Sequence, residues 1–187
     1  MAHVPDIGNT DGGHWVTNYL SGGGKNFNKV RALFNTGIPT RIIPPAVTST
    51  LTNFTMIMVA NCSNVVTASQ EIYGNANNPP YLDFDASKLT INAGNNVTGP
   101  TTIASSTFYI ITWKCNGASS EIDTNGVLYV SGDAGIKGTP AGAAPLIAHD
   151  RVNQFVGNIC RVWTWTNQLN TVDLGNAINQ CKTDFGF

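Results

Sequence analysis

The sequence predicts an all-β protein: one antiparallel β-sandwich, closed by a short C-terminal helix and preceded by an extended N-terminal arm. Three observations predict this class. Short apolar runs alternate with turns rich in Asn, Gly and Pro, no long helical pattern lies between them, and only the C-terminal residues show helical spacing. The chain has 187 residues, 42% of them hydrophobic, which is enough for one substantial core, so we expect one folded domain.

The predicted arm covers residues 1–26, and the sandwich domain covers residues 27–187. Glycine-rich stretches, GNTDGGHW and LSGGGKN, surround a small apolar island that contains Trp15, Tyr19 and Leu20. A segment of this composition is mobile on its own, so we expect a partner to order it. The three apolar residues are the candidate anchoring residues.

Apolar runs beyond the arm predict the strands of the sandwich. They are RALFNTG, RIIPPAV, FTMIMVAN, EIYGNANNPPYLDF, KLTINAGNNVTG, STFYIITWKC, EIDTNGVLYVSG, PLIA and FVGNICRVWTW. The run FTMIMVAN is apolar on both faces, with Phe54, Met56 and Met58 on one face and Ile57 and Val59 on the other. This pattern is typical of a central strand that is buried on both sides.

The last element is predicted to be a helix with a defined start and end. Asn170 is the expected N-cap, Asp173 takes the third helical position, and Leu169 and Leu174 take the positions of a hydrophobic staple. Gly186 is the expected stop. The apolar residues at helical spacing are Leu174, Ala177, Ile178, Cys181 and Phe185.

The order of these elements resembles the laminin-G-like and concanavalin-A-like lectin/glucanase superfamily. In its modules a Trp-bearing strand, here FYIITWKC, is followed by a hairpin, here EIDTNGVLYVSG, and a short strand, here PLIA. The closing Phe-x-Gly-x-Ile-x-x-Val pattern is matched by Phe155, Gly157, Ile159 and Val162. The resemblance covers residues 50–187 and implies a jelly-roll type of sandwich.

An acidic pair in the hairpin segment raises the question of catalysis. Glu121 and Asp123 alternate along a strand and therefore share a face. Laminarinase-type members of the superfamily carry an E-x-D-x-x-E arrangement, and two-step glycoside hydrolysis needs both carboxyl groups. Here Gly126 stands where the second catalytic Glu belongs, and Asn125–Gly126 is a strong hairpin-turn signal. We therefore expect a plain hairpin, no catalytic residue and no enzyme.

A tryptophan pair on the last predicted strand provides the candidate glycan-binding residues, Trp163, Trp165 and Arg161. The two indoles alternate on one face, and the same alternation includes Arg161 and Ile159. One interpretation is a platform on which sugar rings stack; the other, favoured because aromatic residues mainly serve core burial, is packing against the helix or the second sheet. If either indole is exposed, Trp163 is the better candidate.

Charge composition argues against several classes of partner. Ten Lys and Arg against eleven Asp and Glu give a net charge of -1, with no basic stripe for nucleic acid or anionic membrane. No apolar run is long enough to span a bilayer, and the first residues lack the pattern of a secretory signal. We expect a soluble, intracellularly made protein.

Cysteines and aspartates carry two weaker alternatives. Cys62, Cys115, Cys160 and Cys181 lie far apart, and we interpret them as buried reduced thiols, with a Cys62–Cys115 bridge as the alternative. Oxygen ligands for calcium, which some laminin-G-like modules hold at the rim, would be Asp83, Asp85 and Asp133. Turn capping explains these aspartates better, so we expect no metal and no cofactor.

Two functional hypotheses follow. The first is a non-catalytic attachment protein of a larger assembly, specifically a bacteriophage capsid decoration, fibre or tail protein located in the virion. It resembles viral proteins that anchor through an extended terminus. Its partners would be capsid or other virion proteins, and assembly into a homo-oligomer would suit this role. The alternative is a lectin-like module that binds host-surface glycans. A glycan hydrolase is the least supported hypothesis.

Overall fold

The structure, a computed structural model, describes residues 14–16, 31–33, 52–63, 70–75, 78–138, 146–147 and 155–187. The predicted strand RIIPPAV, the Gly22–Gly24 run, and the arm residues Tyr19 and Leu20 lie outside this part of the chain. Trp15 belongs to a short described strand. The boundary between arm and domain at residue 26 stays a prediction.

Within the described residues, two antiparallel sheets and one α-helix account for the fold. In chain order the strands are β1 (His14–Val16), β2 (Arg31–Leu33), β3 (Phe54–Cys62), β4 (Gln70–Asn75), β5 (Asn78–Asp85), β6 (Lys88–Asn92), β7 (Asn96–Thr98), β8 (Tyr109–Cys115), β9 (Ser120–Thr124), β10 (Val127–Gly132), β11 (Leu146–Ile147) and β12 (Gly157–Trp165). The helix α1 spans Thr171–Phe185. The sequence therefore predicted the class correctly.

The strands divide into a seven-stranded and a five-stranded sheet. The larger sheet has the order β1-β2-β12-β3-β8-β9-β10, and the smaller one has the order β11-β4-β5-β6-β7. Neighbouring strands pair antiparallel throughout, as in the central pair of β12 and β3. The segment His14–Val16, which falls within the predicted arm, forms the outermost strand of the larger sheet beside β2.

Strand β3 supplies side chains to two separate cores, because it is buried on both faces. Phe54, Met56 and Met58 face the five-stranded sheet and lie in the main core between the sheets. Ile57 and Val59 face the other way and lie in a second core under α1. This split confirms the predicted central strand.

A β-bulge in β12 changes which residues share a face. Ile159 lies opposite Ala60 and Arg161 lies opposite Val59, so Cys160 is one residue more than β3 can pair. Ile159 consequently faces the main core, whereas Cys160 lies in the core under α1. The expectation that Ile159 shares a face with Arg161 was therefore wrong.

Helix α1 begins and ends where the sequence predicts. The side chain of Asn170 accepts a hydrogen bond from the backbone N–H of Asp173 at 2.9 Å, and Gly186 ends the helix in the left-handed region with φ 70°. Its buried residues are Leu174, Ile178, Cys181 and Phe185. They cover the outer face of the seven-stranded sheet next to Ile57, Val59 and Ile110.

Gly175 lies within α1, at a position where a side chain has room. A Cβ atom there would meet no atom within 4 Å. Gly175→Ala should therefore stabilise the protein by about 0.5–1 kcal/mol, because alanine loses less backbone entropy than glycine on forming a helix. Urea unfolding measures the effect. Gly186→Ala is the control and should destabilise, since residue 186 has φ 70°; destabilisation by Gly175→Ala would contradict the open surroundings of this position.

All four cysteines are buried free thiols. A Cys62–Cys115 bridge is excluded by the pairing of β3 with β8. Cys115 lies opposite Phe54, eight residues along β3 from Cys62, or about 26 Å at about 3.3 Å per residue. A disulfide requires Cα atoms within about 7 Å.

Candidate functional site

The three predicted glycan-binding residues lie together on the outer face of the seven-stranded sheet, beside α1. Arg161, Trp163 and Trp165 lie opposite Val59, Ile57 and Thr55 of β3. Regular alternation after the bulge places Arg161 on this face together with the two indoles. We call this group, with the helix residues that contact it, the Trp–Arg patch.

The guanidinium of Arg161 contacts two aromatic rings. Its central carbon lies 4.5 Å from the centroid of the Trp163 ring and 4.8 Å from that of Phe185. Cation–π contacts of this kind stabilise by about 0.5–2 kcal/mol each, depending on desolvation. The stack joins the last strand to the last turn of the helix and covers one face of Trp163.

The two indoles are half-buried and contact each other edge to face. Their ring centroids lie 6.0 Å apart at an interplanar angle of 75°, a favourable arrangement for aromatic pairs. Both pack against the core under α1. Packing against the helix is therefore part of their role, and the half that stays accessible is what a ligand would contact. The sequence favoured Trp163 for stacking, but Arg161 covers a face of its ring, so we take Trp165 as the stacking candidate.

Two polar helix residues complete the patch, and neither was predicted from the sequence. Asp184 Oδ2 accepts a hydrogen bond from Arg161 Nη1 at 2.5 Å, and its Oδ1 accepts one from Gln180 Nε2 at 2.8 Å. Gln180 and Asp184 are four residues apart on one helix face, a spacing that could have revealed their pairing. The contact with Arg161 could not be foreseen, because it depends on how the helix crosses the sheet.

Thiol chemistry at this site is disfavoured by burial. Burial raises the pKa of Cys181, although the nearby Arg161 lowers it and Asp184 raises it again. Away from this site, in the main core, burial likewise raises the pKa of Cys115 to about 11. Both sulfurs are therefore protonated at neutral pH, whereas the thiolate is the nucleophilic form.

The acidic pair lies in the hairpin of β9 and β10, at the edge of the seven-stranded sheet. Asn125 and Gly126 form the turn with φ 55° and 82°, so the predicted hairpin is confirmed. Glu121 forms an ion pair with Lys114 on the neighbouring strand. A side chain at Gly126 would begin 3.3 Å from Ile178 of the helix. The position of the missing second Glu is therefore a turn residue packed against α1.

Asp123 has a raised pKa, mainly because burial disfavours its charged form; Lys114 lowers the pKa and Glu121 raises it. The native state therefore binds this proton up to a higher pH than the unfolded chain does. Stability should fall as pH rises from the ordinary Asp value of about 3.9 through the raised native pKa. Asp123→Asn should abolish that fall and stabilise the protein at neutral pH.

Urea unfolding of wild type and Asp123→Asn at about pH 3 and about pH 7 measures this effect. The matched control is Asp133→Asn, because Asp133 is exposed and its Oδ1 caps the N–H of Gly135 at 2.9 Å, which an Asn amide oxygen can also do. Equal pH dependence in wild type and both variants would contradict the assignment to Asp123.

The outer face of the five-stranded sheet is a second polar area. Glu71 and Asp83 lie directly opposite each other, and both are buried. Asn96 Oδ1 accepts hydrogen bonds from Tyr81 Oη at 3.2 Å and from Asn92 Nδ2 at 2.5 Å. Sequence patterns did not reveal this area, because its members come from four separate strands.

The three aspartates of the weaker calcium alternative do not come together. Asp83 and Asp85 lie on β5, and Asp133 lies in the loop after β10, where it caps a turn. In the part of the chain that the structure describes, no group of three or more His, Cys, Asp or Glu residues is arranged to hold a metal ion. The same residues include no helix long and apolar enough to cross a membrane.

Comparisons with known proteins identify the fold. No family model and no curated protein sequence matches the chain. A SAP-like pentraxin from Limulus polyphemus matches with a TM-score of 0.63 and 12% identity over 81% of this chain and 82% of the pentraxin chain. Domain 4 of an extracellular arabinanase from Geobacillus stearothermophilus, in complex with arabinotriose, matches with a TM-score of 0.60 and 14% identity over 93% of this chain and 84% of that domain.

The chain has an antiparallel, concanavalin-A-like β-sandwich fold of the jelly-roll type. A structure of botulinum neurotoxin type C, whose cell entry depends on interaction with two ganglioside molecules, also matches, with a TM-score of 0.62 and 12% identity. The match covers 90% of this chain but only 45% of the toxin chain. At such identities the likeness shows the fold alone. The virion hypothesis has no support among these similar structures.

Proposed function

We propose that this chain is a carbohydrate-binding, lectin-like module that holds its glycan at the Trp–Arg patch without cleaving it. The observation that carries the proposal is the combination of half-buried indoles with a hydrogen-bonded row of planar polar groups, Arg161, Asp184 and Gln180. Sugars present apolar C–H faces and hydroxyls side by side. Indole rings suit the first, and fixed amide, carboxylate and guanidinium groups suit the second.

Two further observations support binding over other roles. Similar folds occur in an arabinanase domain bound to arabinotriose and in a toxin that interacts with gangliosides. The hairpin has Gly126, in a tight turn with φ 82°, where hydrolases of this superfamily are expected to carry their second acid. Binding without hydrolysis is therefore the proposal that fits both the Trp–Arg patch and the hairpin.

A glycan array followed by isothermal titration calorimetry with the best-bound oligosaccharide tests the proposal. We expect Trp165→Ala to weaken binding by about tenfold or more, a loss of about 1.4 kcal/mol, because the accessible indole is removed. Leu128→Ala is the matched control, since this exposed side chain lies on the same sheet but outside the patch, and its affinity should be unchanged.

Gln180→Ala removes a polar member of the patch from an exposed helix position, without opening the core. Its control is Asn179→Ala, the adjacent exposed helix residue. Weaker binding by Gln180→Ala than by Asn179→Ala would support the proposed site. Absence of binding across the array, or equal affinity of the Trp165→Ala variant, would contradict the proposed function or its location.

A further inference from the structure

We infer that the Trp–Arg patch selects neutral sugars over carboxylated ones, an inference that rests on the proposed function and adds the class of ligand. The patch contains an arginine, a residue that elsewhere binds carboxylates readily. The surroundings of Arg161 nevertheless remove the features that an incoming carboxylate would need.

The charge of Arg161 is already balanced. Asp184 lies 2.5 Å from Nη1, and the two side chains are only 14% and 21% exposed. A pair that is largely removed from water interacts more strongly than a surface pair. A sugar carboxylate would have to compete with Asp184 for the same cation and would lie close to a second negative charge.

The guanidinium is also sterically covered. The ring centroids of Trp163 and Phe185 lie 4.5 and 4.8 Å from its central carbon, and the Cys181 side chain lies beside it. Bidentate carboxylate recognition uses a whole edge of the guanidinium. With Nη1 engaged by Asp184, the structure favours single hydrogen bonds to hydroxyl oxygens at the remaining edge.

The end of the helix adds a repulsive term for anions. Helix α1 ends at Phe185, next to Arg161, and the C-terminus of a helix carries about half a negative charge. Lys182, the basic residue in the last turn of α1, lies by the hairpin turn, where its Nζ would be 3.7 Å from a Cβ at Gly126. It therefore contributes little positive potential to the patch.

Neutral sugars meet no electrostatic repulsion and need no bidentate edge of the guanidinium. A hydroxyl group both donates and accepts, so one sugar can bond the Gln180 amide and an Arg161 donor that Asp184 does not engage. Trp165 then contacts the C–H face of the ring. Uncharged polar recognition of this type also depends little on salt.

Calorimetric titration with paired probes tests the inference: neutral oligosaccharides from the array and counterparts of equal length that carry a uronic or sialic acid. We expect the carboxylated probes to bind wild type at least about tenfold more weakly, and affinity for neutral probes to change less than about twofold between about 50 and about 500 mM salt. Asp184→Asn keeps the shape of the side chain but frees the charge of Arg161. This variant should bind carboxylated probes about tenfold more tightly than wild type, in a salt-sensitive manner.

The outcomes separate the inference from the proposed function. Tighter, salt-sensitive binding of carboxylated probes by wild type would overturn the inference and leave glycan binding intact. Neutral binding that survives both Trp165→Ala and Asp184→Asn unchanged would also overturn it, because another surface would then hold the sugar. Failure to bind either probe class would reject the proposed function itself. Thermal unfolding of each variant checks that the domain is folded.

Discussion

Gly157→Ala should destabilise the protein by about 3 kcal/mol or more, at the upper end of what an extra methyl group costs in a packed core. A Cβ atom at residue 157 would overlap the backbone oxygen of Asn61 and come within 2.8 Å of the Phe155 ring. The first obstacle is main chain, which cannot change rotamer. Relief therefore requires β12 to move away from β3, which breaks the central pairing of the larger sheet.

Neighbouring contacts make such a movement costly. Asn61 Oδ1 accepts from the backbone N–H of Asn158 at 2.9 Å and from its amide at 2.8 Å, while Asn61 Nδ2 donates to the Ser106 carbonyl at 3.2 Å. This buried network ties the start of β12 to β3 and to the loop before β8. A displaced β12 would leave buried polar groups without partners, at about 1–3 kcal/mol each.

Urea unfolding of Gly157→Ala, with Gly175→Ala as the matched glycine control, measures the effect. The same substitution should destabilise at residue 157 and stabilise at residue 175, because only the first position is filled by neighbouring atoms. A loss below about 1 kcal/mol at Gly157 would mean that the two strands can separate without cost. Because β12 also carries Arg161, Trp163 and Trp165, a folded Gly157→Ala protein should also bind glycan less tightly.

Local signals in the sequence were sufficient for the helix and for single strands. The cap by Asn170 and Asp173 and the stop at Gly186 involve residues at most four positions from a helix end. The hairpin turn at Asn125–Gly126 is equally local, because positive φ values select these residue types. Such features depend on neighbours in sequence and can be predicted without knowledge of the tertiary structure.

Features that depend on pairing between distant segments could not be predicted. The bulge at Cys160 exists because β12 has one residue more than β3 accommodates, and simple alternation assigned Ile159 to the wrong face. Asp184 meets Arg161 across 23 residues, and Glu71 meets Asp83 only because β4 pairs with β5. The sequence therefore identified the aromatic part of the candidate site but not the polar groups that surround it.

The two functional hypotheses differ in how far the described residues allow them to be tested. The virion hypothesis depended on an arm whose anchoring residues Tyr19 and Leu20 lie outside the described residues. Its strand His14–Val16 pairs within the protein's own sheet. The lectin-like alternative depends on described side chains, so it can be tested residue by residue.

Trp113→Ala should destabilise the protein by about 4 kcal/mol, the middle of the range for removing a large aromatic side chain from a core. Trp113 is fully buried and contacts Phe54 edge to face, with ring centroids 4.7 Å apart at 73°. It also meets Tyr73 of the opposite sheet at 6.1 Å and 88°. The indole therefore joins the two sheets, and its removal leaves a cavity that neither sheet can fill alone.

Trp113→Phe should cost far less, about 1–2 kcal/mol, because a ring remains and no hydrogen bond is lost: Nε1 has no partner among the described residues. Chemical unfolding followed by circular dichroism compares both variants with Trp165→Ala. That outer indole is half-buried, so its removal should reduce glycan affinity with a smaller loss of stability. The opposite result, a stable Trp113→Ala protein and an unfolded Trp165→Ala protein, would mean that the helix-covered face, and not the space between the sheets, holds the fold together. The Trp–Arg patch would then be structural, and glycan binding would have to be sought on the polar face around Asn96.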